Sequence, residues 1–199
     1  MTTGRSTNSD EIAAAKATLR RSMQERLRAI DEVDWRRASR EACDRLLELD
    51  EVRDAGTILF YMAMRSEMDP SKAMRWCLEE GMTVAVPRID PETRELEAIQ
   101  IESLDERFFL RDRMGIPVPR DGRLVRATEL DTIVAPGLAF DRNRRRLGRG
   151  AGYYDRLLVR VREHCSIVGF LHHAQLVDEV PTADHDRPVG RIVTDRETI

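Results

Sequence analysis

Apolar residues recur at helical spacing along the first part of the chain and then give way to short runs of β-branched residues. Ile12, Ala15, Leu19, Met23 and Leu27 lie three or four apart, which predicts a first helix capped by Ser9 or Asp10, with residues 1–9 frayed. Trp35, Ala38, Ala42, Leu46 and Leu49 mark the buried face of a second helix starting near Asp31 or Asp34. Residues 58–62 read as a strand. Asp69-Pro70 offers an N-cap and a first-turn proline to a third helix through Leu78, Gly81 ends it, and residues 83–86 form the next strand. That strand–helix–strand order implies parallel pairing with a right-handed crossover. Residues 96–101 predict a shorter strand at the sheet edge, and 114–123, with two prolines and two glycines, a loop. Strands at 132–135, 166–170 and 191–194 and a helix at 155–162 complete the pattern. The expected architecture is one three-layer α/β/α domain over residues 1–199 around a central, mostly parallel, Rossmann-like sheet. Ligands of such sheets bind beyond the carboxyl ends of the strands. Glu67 and the segment after residue 135 would both lie there.

Composition narrows the function. A chain of 199 residues can bury a substantial core. A formal charge of −3 argues against a dedicated nucleic-acid binder. Cys43, Cys77 and Cys165 are scattered, which points to buried thiols in a reducing compartment, not to a zinc site or a disulfide framework. No stretch approaches the ~18 apolar residues that span a bilayer, so a soluble, cytoplasmic protein with no membrane partner is expected. Among 33 basic residues only Lys16 and Lys72 are lysines. Lys16 stands four residues before Arg20, so the two can point at a common anion.

The segment richest in chemistry is Pro136-Gly137-Leu138-Ala139-Phe140-Asp141, followed by residues 146–156. Gly148, Gly150 and Gly152 alternate, leaving a backbone that can turn sharply and bring N–H groups close to an anion. The apolar Leu157, Leu158 and Val161 carry that loop into a helix. Arg146 and Arg149 add guanidinium forks suited to phosphate oxygens. Asp155 offers a carboxylate for Mg²⁺. The pattern is neither a P-loop, which needs Gly-Lys-Ser/Thr, nor the G-x-G-x-x-G fingerprint that follows a strand directly.

This segment resembles the signature of the 5-formyltetrahydrofolate cyclo-ligase family, which reads approximately P-G-x-A-F-D-x-x-G-x-R-L-G-x-G-x-G-Y-Y-D-R. The match is long and ordered. Lys16-Ala17-Thr18-Leu19-Arg20 is similar to the family's K-x-x-L-R, Tyr61 with Glu67-Met68-Asp69 to its Y…E-hydrophobic-D element, Val86-Pro87 to a strand ending in proline, and His185-Asp186 to its H-D pair.

The resemblance implies a cyclo-ligase-type fold and ATP-driven closure of 5-formyltetrahydrofolate to 5,10-methenyltetrahydrofolate, with Mg²⁺ as cofactor and ATP as co-substrate. It assigns ATP to Lys16, Ala17, Thr18, Leu19, Arg20, Arg146, Leu147, Gly148, Arg149, Gly150, Ala151, Gly152, Tyr153 and Tyr154. It gives folate to Met62, Glu67 and Tyr153, catalysis to Lys16, Arg149 and Tyr153, and metal to Asp155 and Asp186. Only small-molecule partners are implied, for a monomer or weak homodimer. Four positions depart from the pattern. Arg144 and Ala151 replace common glycines, Val118 stands where glutamate is usual, and Val189-Gly190 lacks an aspartate. They motivate a second reading, an ATP-dependent paralogue acting on another amide or formamide. A third would use Arg142, Arg144, Arg145, Arg146 and Arg149 to bind nucleic acid.

Overall fold

A computed structural model describes residues 4–90, 92, 93, 95–183 and 186–199. The helices are α1 (Gly4–Arg28), α2 (Glu32–Leu46), α3 (Asp50–Arg53), α4 (Ser71–Glu79) and α5 (Tyr153–Leu158). The strands are β1 (Thr57–Leu59), β2 (Thr83–Asp90), β3 (Glu95–Ile101), β4 (Phe109–Arg111), β5 (Pro117–Pro119), β6 (Leu124–Val125), β7 (Thr132–Ala135), β8 (Ala139–Asp141), β9 (Arg146–Leu147), β10 (Ser166–Phe170), β11 (Leu176–Val177) and β12 (Arg191–Val193).

The main sheet runs β12-β10-β7-β1-β2-β3-β6, with its first five strands parallel and β3 and β6 antiparallel. Alternation divides its side chains. Ile58, Val84, Val86, Val134, Val168 and Val193 join one core with α1, α2 and α4. Leu59, Ala85, Ile133, Ala135, Ile167 and Ile192 join another with Leu157 and Leu158 of α5. A sheet buried on both faces explains why its central strands read as continuous apolar runs.

Local chemistry sets the element ends. Asp31 caps α2 by accepting from the Asp34 N–H at 2.7 Å. Asp69 accepts from the Ser71 N–H at 2.9 Å, so the acid–proline pair opens α4 one residue later than its spacing suggested. Gly81, at φ +77°, ends the turn after α4. Ser39 of α2 accepts from the Asp69 N–H at 2.9 Å and donates to the Trp35 carbonyl at 2.7 Å. It thereby fastens α2 to the segment that carries Glu67.

Several expectations are corrected. Helix α1 begins at Gly4, ahead of the expected Ser9 or Asp10 cap, because no proline or glycine interrupts residues 5–10. Its inward line passes through Lys16 instead of Ala15, which is exposed. Strand β3 is not the edge, since the two-residue β6 lies outside it. The expected loop 114–123 contains β5, which pairs with β4 despite two prolines because the hairpin lies outside the main sheet. Helix α5 starts at Tyr153 and stops at Leu158. The small sheet β11-β8-β9 was masked by the arginine-rich turn between β8 and β9. The far edge of the main sheet is covered from within the chain: Ile192 and Ile199 exchange two N–H···O bonds of 2.8 Å each.

Phe140 of β8 is fully buried between two glycines. A Cβ at Gly169 would stand 2.6 Å from the ring's Cε1, and one at Gly137 2.5 Å from Cε2. Gly169→Ala is therefore expected to destabilise the fold by roughly 1–3 kcal/mol through overpacking. A denaturant midpoint equal to wild type would show that the ring can move aside.

Candidate active site

The residue after β1 begins a segment that returns to α4 through Met62, Met64 and Glu67. The Tyr61 hydroxyl donates to the Met68 carbonyl at 2.5 Å and closes this segment on itself. Glu67 Oε2 accepts from the Met64 N–H at 3.0 Å, and the carboxylate is only 7% exposed. After β7, Pro136 and Gly137 lead into the β8–β9 hairpin and then the loop at 148–152. Gly150 sits at φ +108° and Gly152 at φ +71°, conformations in which a Cβ is strained, so these two glycines are what let the loop enter α5. Ala151 has no positive φ and fits.

These segments line one cleft of about 270 Å³ above the carboxyl ends of β1, β2 and β7. Both Glu67 and the glycine loop are there, as the doubly wound pattern requires. One wall is apolar, made by Met62, Ile89, Leu96, Met114 and Ile116; the other is the loop with Arg146, Arg149, Tyr153 and Tyr154. Apart from Met62, the apolar wall is what sequence reasoning missed. Ile89, beyond the expected strand 83–86, and Met114, in the expected loop 114–123, stand 41% and 73% exposed.

Three cations meet three carboxylates around the cleft. Arg149 Nε donates to Glu67 Oε1 at 2.9 Å, joining the glycine loop to the opposite segment. Arg146 pairs with Asp155 and donates to the Pro136 carbonyl at 3.2 Å. Lys16 Nζ donates to Asp186 Oδ2 at 2.5 Å, and the same oxygen accepts from the Ala183 N–H at 2.7 Å. Arg20 Nε donates to the Gly148 carbonyl at 3.0 Å, so α1 holds both the loop and the Asp186 segment. The guanidinium of Arg156 lies 5.4 Å above the Tyr153 ring, and that of Arg146 5.8 Å above Tyr154. Burial, with the charge of Glu67 adding to it, pushes the phenols of Tyr61 and Tyr154 above their ordinary range, so both remain donors at neutral pH.

Of the residues expected here, Met62, Glu67, Arg146 and residues 148–155 line the cleft; Arg20 bonds to the lining residue Gly148, and Lys16, one turn earlier on α1, pairs with Asp186 and is not part of the lining. Ala17 and Thr18 are exposed on α1, whereas Leu19 and Leu147 pack into the core. His185 lies outside the described residues. Among the described residues no group of three or more His, Cys, Asp or Glu gathers into a ready cage for a cation. The donor set still fits Mg²⁺, which takes few carboxylates and completes its shell with phosphate oxygens and water. Asp155 is half exposed at the cleft, with Arg146 bonded to one of its oxygens.

Two further departures from the signature have physical answers. Arg144 adopts φ +64°, so the turn survives without glycine. The buried Asp141 carboxylate pins it by accepting from the N–H groups of Asn143 at 2.9 Å and Arg145 at 3.1 Å. Val118 pairs with Leu110 in the β4–β5 hairpin, and its neighbours Met114 and Ile116 make the cleft wall. The arginine cluster is largely neutralised: Arg142 pairs with Glu197, Arg145 with Glu179, Arg146 with Asp155 and Arg149 with Glu67. The three cysteines are buried, and burial pushes Cys43 and Cys165 up to about 11 and Cys77 up to about 12, as expected of core thiols. No helix among the described residues is long and apolar enough to cross a membrane.

Comparison with known proteins agrees with this layout. The profile of the 5-formyltetrahydrofolate cyclo-ligase family matches residues 12–195. The 5-formyltetrahydrofolate cyclo-ligase of Mus musculus is 25% identical over 92% of this chain and 94% of its own. The Escherichia coli K12 protein of the same name is 27% identical over 86% and 96%. The solved structure of Aquifex aeolicus 5,10-methenyltetrahydrofolate synthetase superposes with a TM-score of 0.80 at 28% identity, covering 92% of this chain and 91% of that one. With its signature loop, its cleft and its full-length likeness, the chain belongs to the 5-formyltetrahydrofolate cyclo-ligase family.

Proposed function

We propose that this protein closes 5-formyltetrahydrofolate to 5,10-methenyltetrahydrofolate at the expense of ATP, releasing ADP and phosphate. The observation that carries this reading is the cleft whose apolar wall holds a buried acid, Glu67, and whose other wall is an arginine-bearing glycine loop. An apolar wall with one carboxylate suits a flat pterin with N–H donors. The loop suits a polyphosphate.

A formamide oxygen is a poor leaving group. Attack by the formyl oxygen on the γ-phosphorus expels ADP and gives an imidate phosphate. N10 then bonds to the formyl carbon and loses its proton to water, and the oxygen departs within phosphate. Lys16, Arg146 and Arg149 neutralise the phosphoryl oxygens and hold them in line with the formyl oxygen, so positioning and charge supply the catalysis. Glu67 accepts N–H groups of the folate and fixes its depth in the cleft. Asp155 would hold Mg²⁺, with Asp186 as the second carboxylate. The metal supplies charge neutralisation on the phosphates.

The test is to mix the protein with 5-formyltetrahydrofolate and Mg-ATP and follow the absorbance of the methenyl product together with ADP. ATP-dependent appearance of both supports the reading; ADP without the methenyl band would point to a different acceptor. Asp155→Asn is expected to lose about tenfold or more in turnover and to recover part of it in excess Mg²⁺, since the amide keeps the size but loses the charge. A defect that excess Mg²⁺ leaves unchanged would remove Asp155 from the metal.

A further inference from the structure

Two of the departures from the family signature meet away from the cleft. Arg144 stands where glycine is common, and Gly190 where the signature often carries an aspartate. Arg144 Nη1 donates to the Gly190 carbonyl at 3.0 Å, and the Arg144 carbonyl accepts from the Val189 N–H at 2.9 Å. Side chain and backbone of the β8–β9 turn are thus both tied to the segment that enters β12. Around this joint lies a second cavity, of about 540 Å³, beside Ser166 and Arg191, the first residues of β10 and β12. It lies at the amino-terminal ends of these strands and shares no lining residue with the cleft. Its volume falls in the range of small-molecule sites, roughly 300–1,000 Å³.

The lining carries Arg144, Arg187 and Arg191 against Glu51 and Glu163. Arg191 Nε donates to Glu51 Oε1 at 3.1 Å, so those two charges cancel. Arg144 and Arg187 are exposed and bond only to carbonyl oxygens, of Gly190 at 3.0 Å and of Leu158 at 2.7 Å. Each guanidinium keeps further N–H donors and has no carboxylate partner among the described residues. An aspartate at 190 would supply such a partner; glycine withholds it, and Arg144 holds φ +64° to stand beside it. We propose that this cavity binds a phosphate dianion through Arg144 and Arg187, and that the paired departures at 144 and 190 create the site. A phosphate monoester carries about −1.5 to −2 charges at neutral pH, which suits two guanidinium forks better than a single carboxylate does. The proposal is independent of the cyclo-ligase reading, since it uses no residue assigned to ATP, folate or metal.

The probes are inorganic phosphate and ribose 5-phosphate, titrated into the whole protein against chloride at equal ionic strength, with amide chemical shifts as the readout. Saturating shifts at residues 163–168 and 187–191 are expected, separate from any response of the glycine loop at 148–152. Tighter binding of the ester would support a phosphorylated small molecule as the occupant, and equal binding would support free phosphate. Arg144→Gly restores the signature residue and relieves the positive φ, so it should keep the fold, which thermal unfolding checks. It should weaken phosphate binding at this site about tenfold or more, while turnover measured without added phosphate stays at the wild-type value. Arg187→Gln should weaken binding comparably. The absence of shifts at these residues in millimolar phosphate would overturn the proposal. Shifts that chloride reproduces, or an Arg144→Gly variant that binds phosphate as well as wild type, would overturn it equally.

Discussion

Glu67→Gln is expected to lower kcat/KM for 5-formyltetrahydrofolate by roughly thirty- to a thousandfold, the equivalent of about 2–4 kcal/mol. The carboxylate is buried, and each of its oxygens already accepts one bond, from Arg149 and from the Met64 N–H. Gln keeps one acceptor but turns an NH₂ donor toward a donor, either on the protein or on the folate. The nucleotide side should respond differently. In the free protein Arg149 is held by Glu67, so phosphate must compete with that carboxylate for the guanidinium. Loss of the charge removes the competitor, and ATP affinity should be unchanged or tighter. Isothermal titration with each substrate checks both halves. A variant with wild-type folate kinetics would remove Glu67 from the folate site.

Lys16→Ala is expected to weaken ATP binding about ten- to a hundredfold, because a charge-assisted contact to phosphate is worth ~1.5–3 kcal/mol. Lys16 is about six-sevenths enclosed, with 14% of its side chain exposed, and Asp186 beside it is 17% exposed. The variant should therefore also unfold more easily, since a half-buried acid loses its ammonium partner. Folate affinity measured without ATP should stay at the wild-type value. Arg149→Ala should differ by weakening both ligands, because Arg149 touches Glu67 as well as the cleft. Should Lys16→Ala bind and hydrolyse ATP normally, α1 has no part in the nucleotide site.

The central strands were legible because burial on both faces writes them as apolar runs: 132–135 and 166–170 match β7 and β10 residue for residue. The parallel β1–α4–β2 unit followed from strand order and the turn residues at 69, 70 and 81. Short elements stabilised by distant partners were not legible. Strands β8 and β9 exist because Asp141 and the chain around Val180 hold them: the Asp141 carboxylate accepts from the Val180 N–H at 3.0 Å. No local pattern announces a bond across 39 positions. In the site, the glycine loop could be read from its own chemistry, whereas Glu67 and Lys16 stand out through their places in the family signature. The apolar wall could not, since Ile89, Met114 and Ile116 are ordinary residues until the sheet brings β2 and the β4–β5 hairpin together. Nor does sequence tell which acid meets which base. Pairing of Lys16 with Asp186 depends on α1 lying beside a segment 170 positions away.

The fold-back of residues 197–199 onto β12 reaches beyond the site. A parallel sheet that stopped at β12 would present unpaired N–H and C=O groups to any passing strand of another chain, the geometry from which ordered aggregates grow. Here Ile199 satisfies Ile192, and Thr194 receives its acceptor from Glu197 at 2.9 Å. At the opposite margin β6 offers only two residues. The β12 edge of the sheet therefore has its exposed backbone groups met by the chain's own residues 197–199.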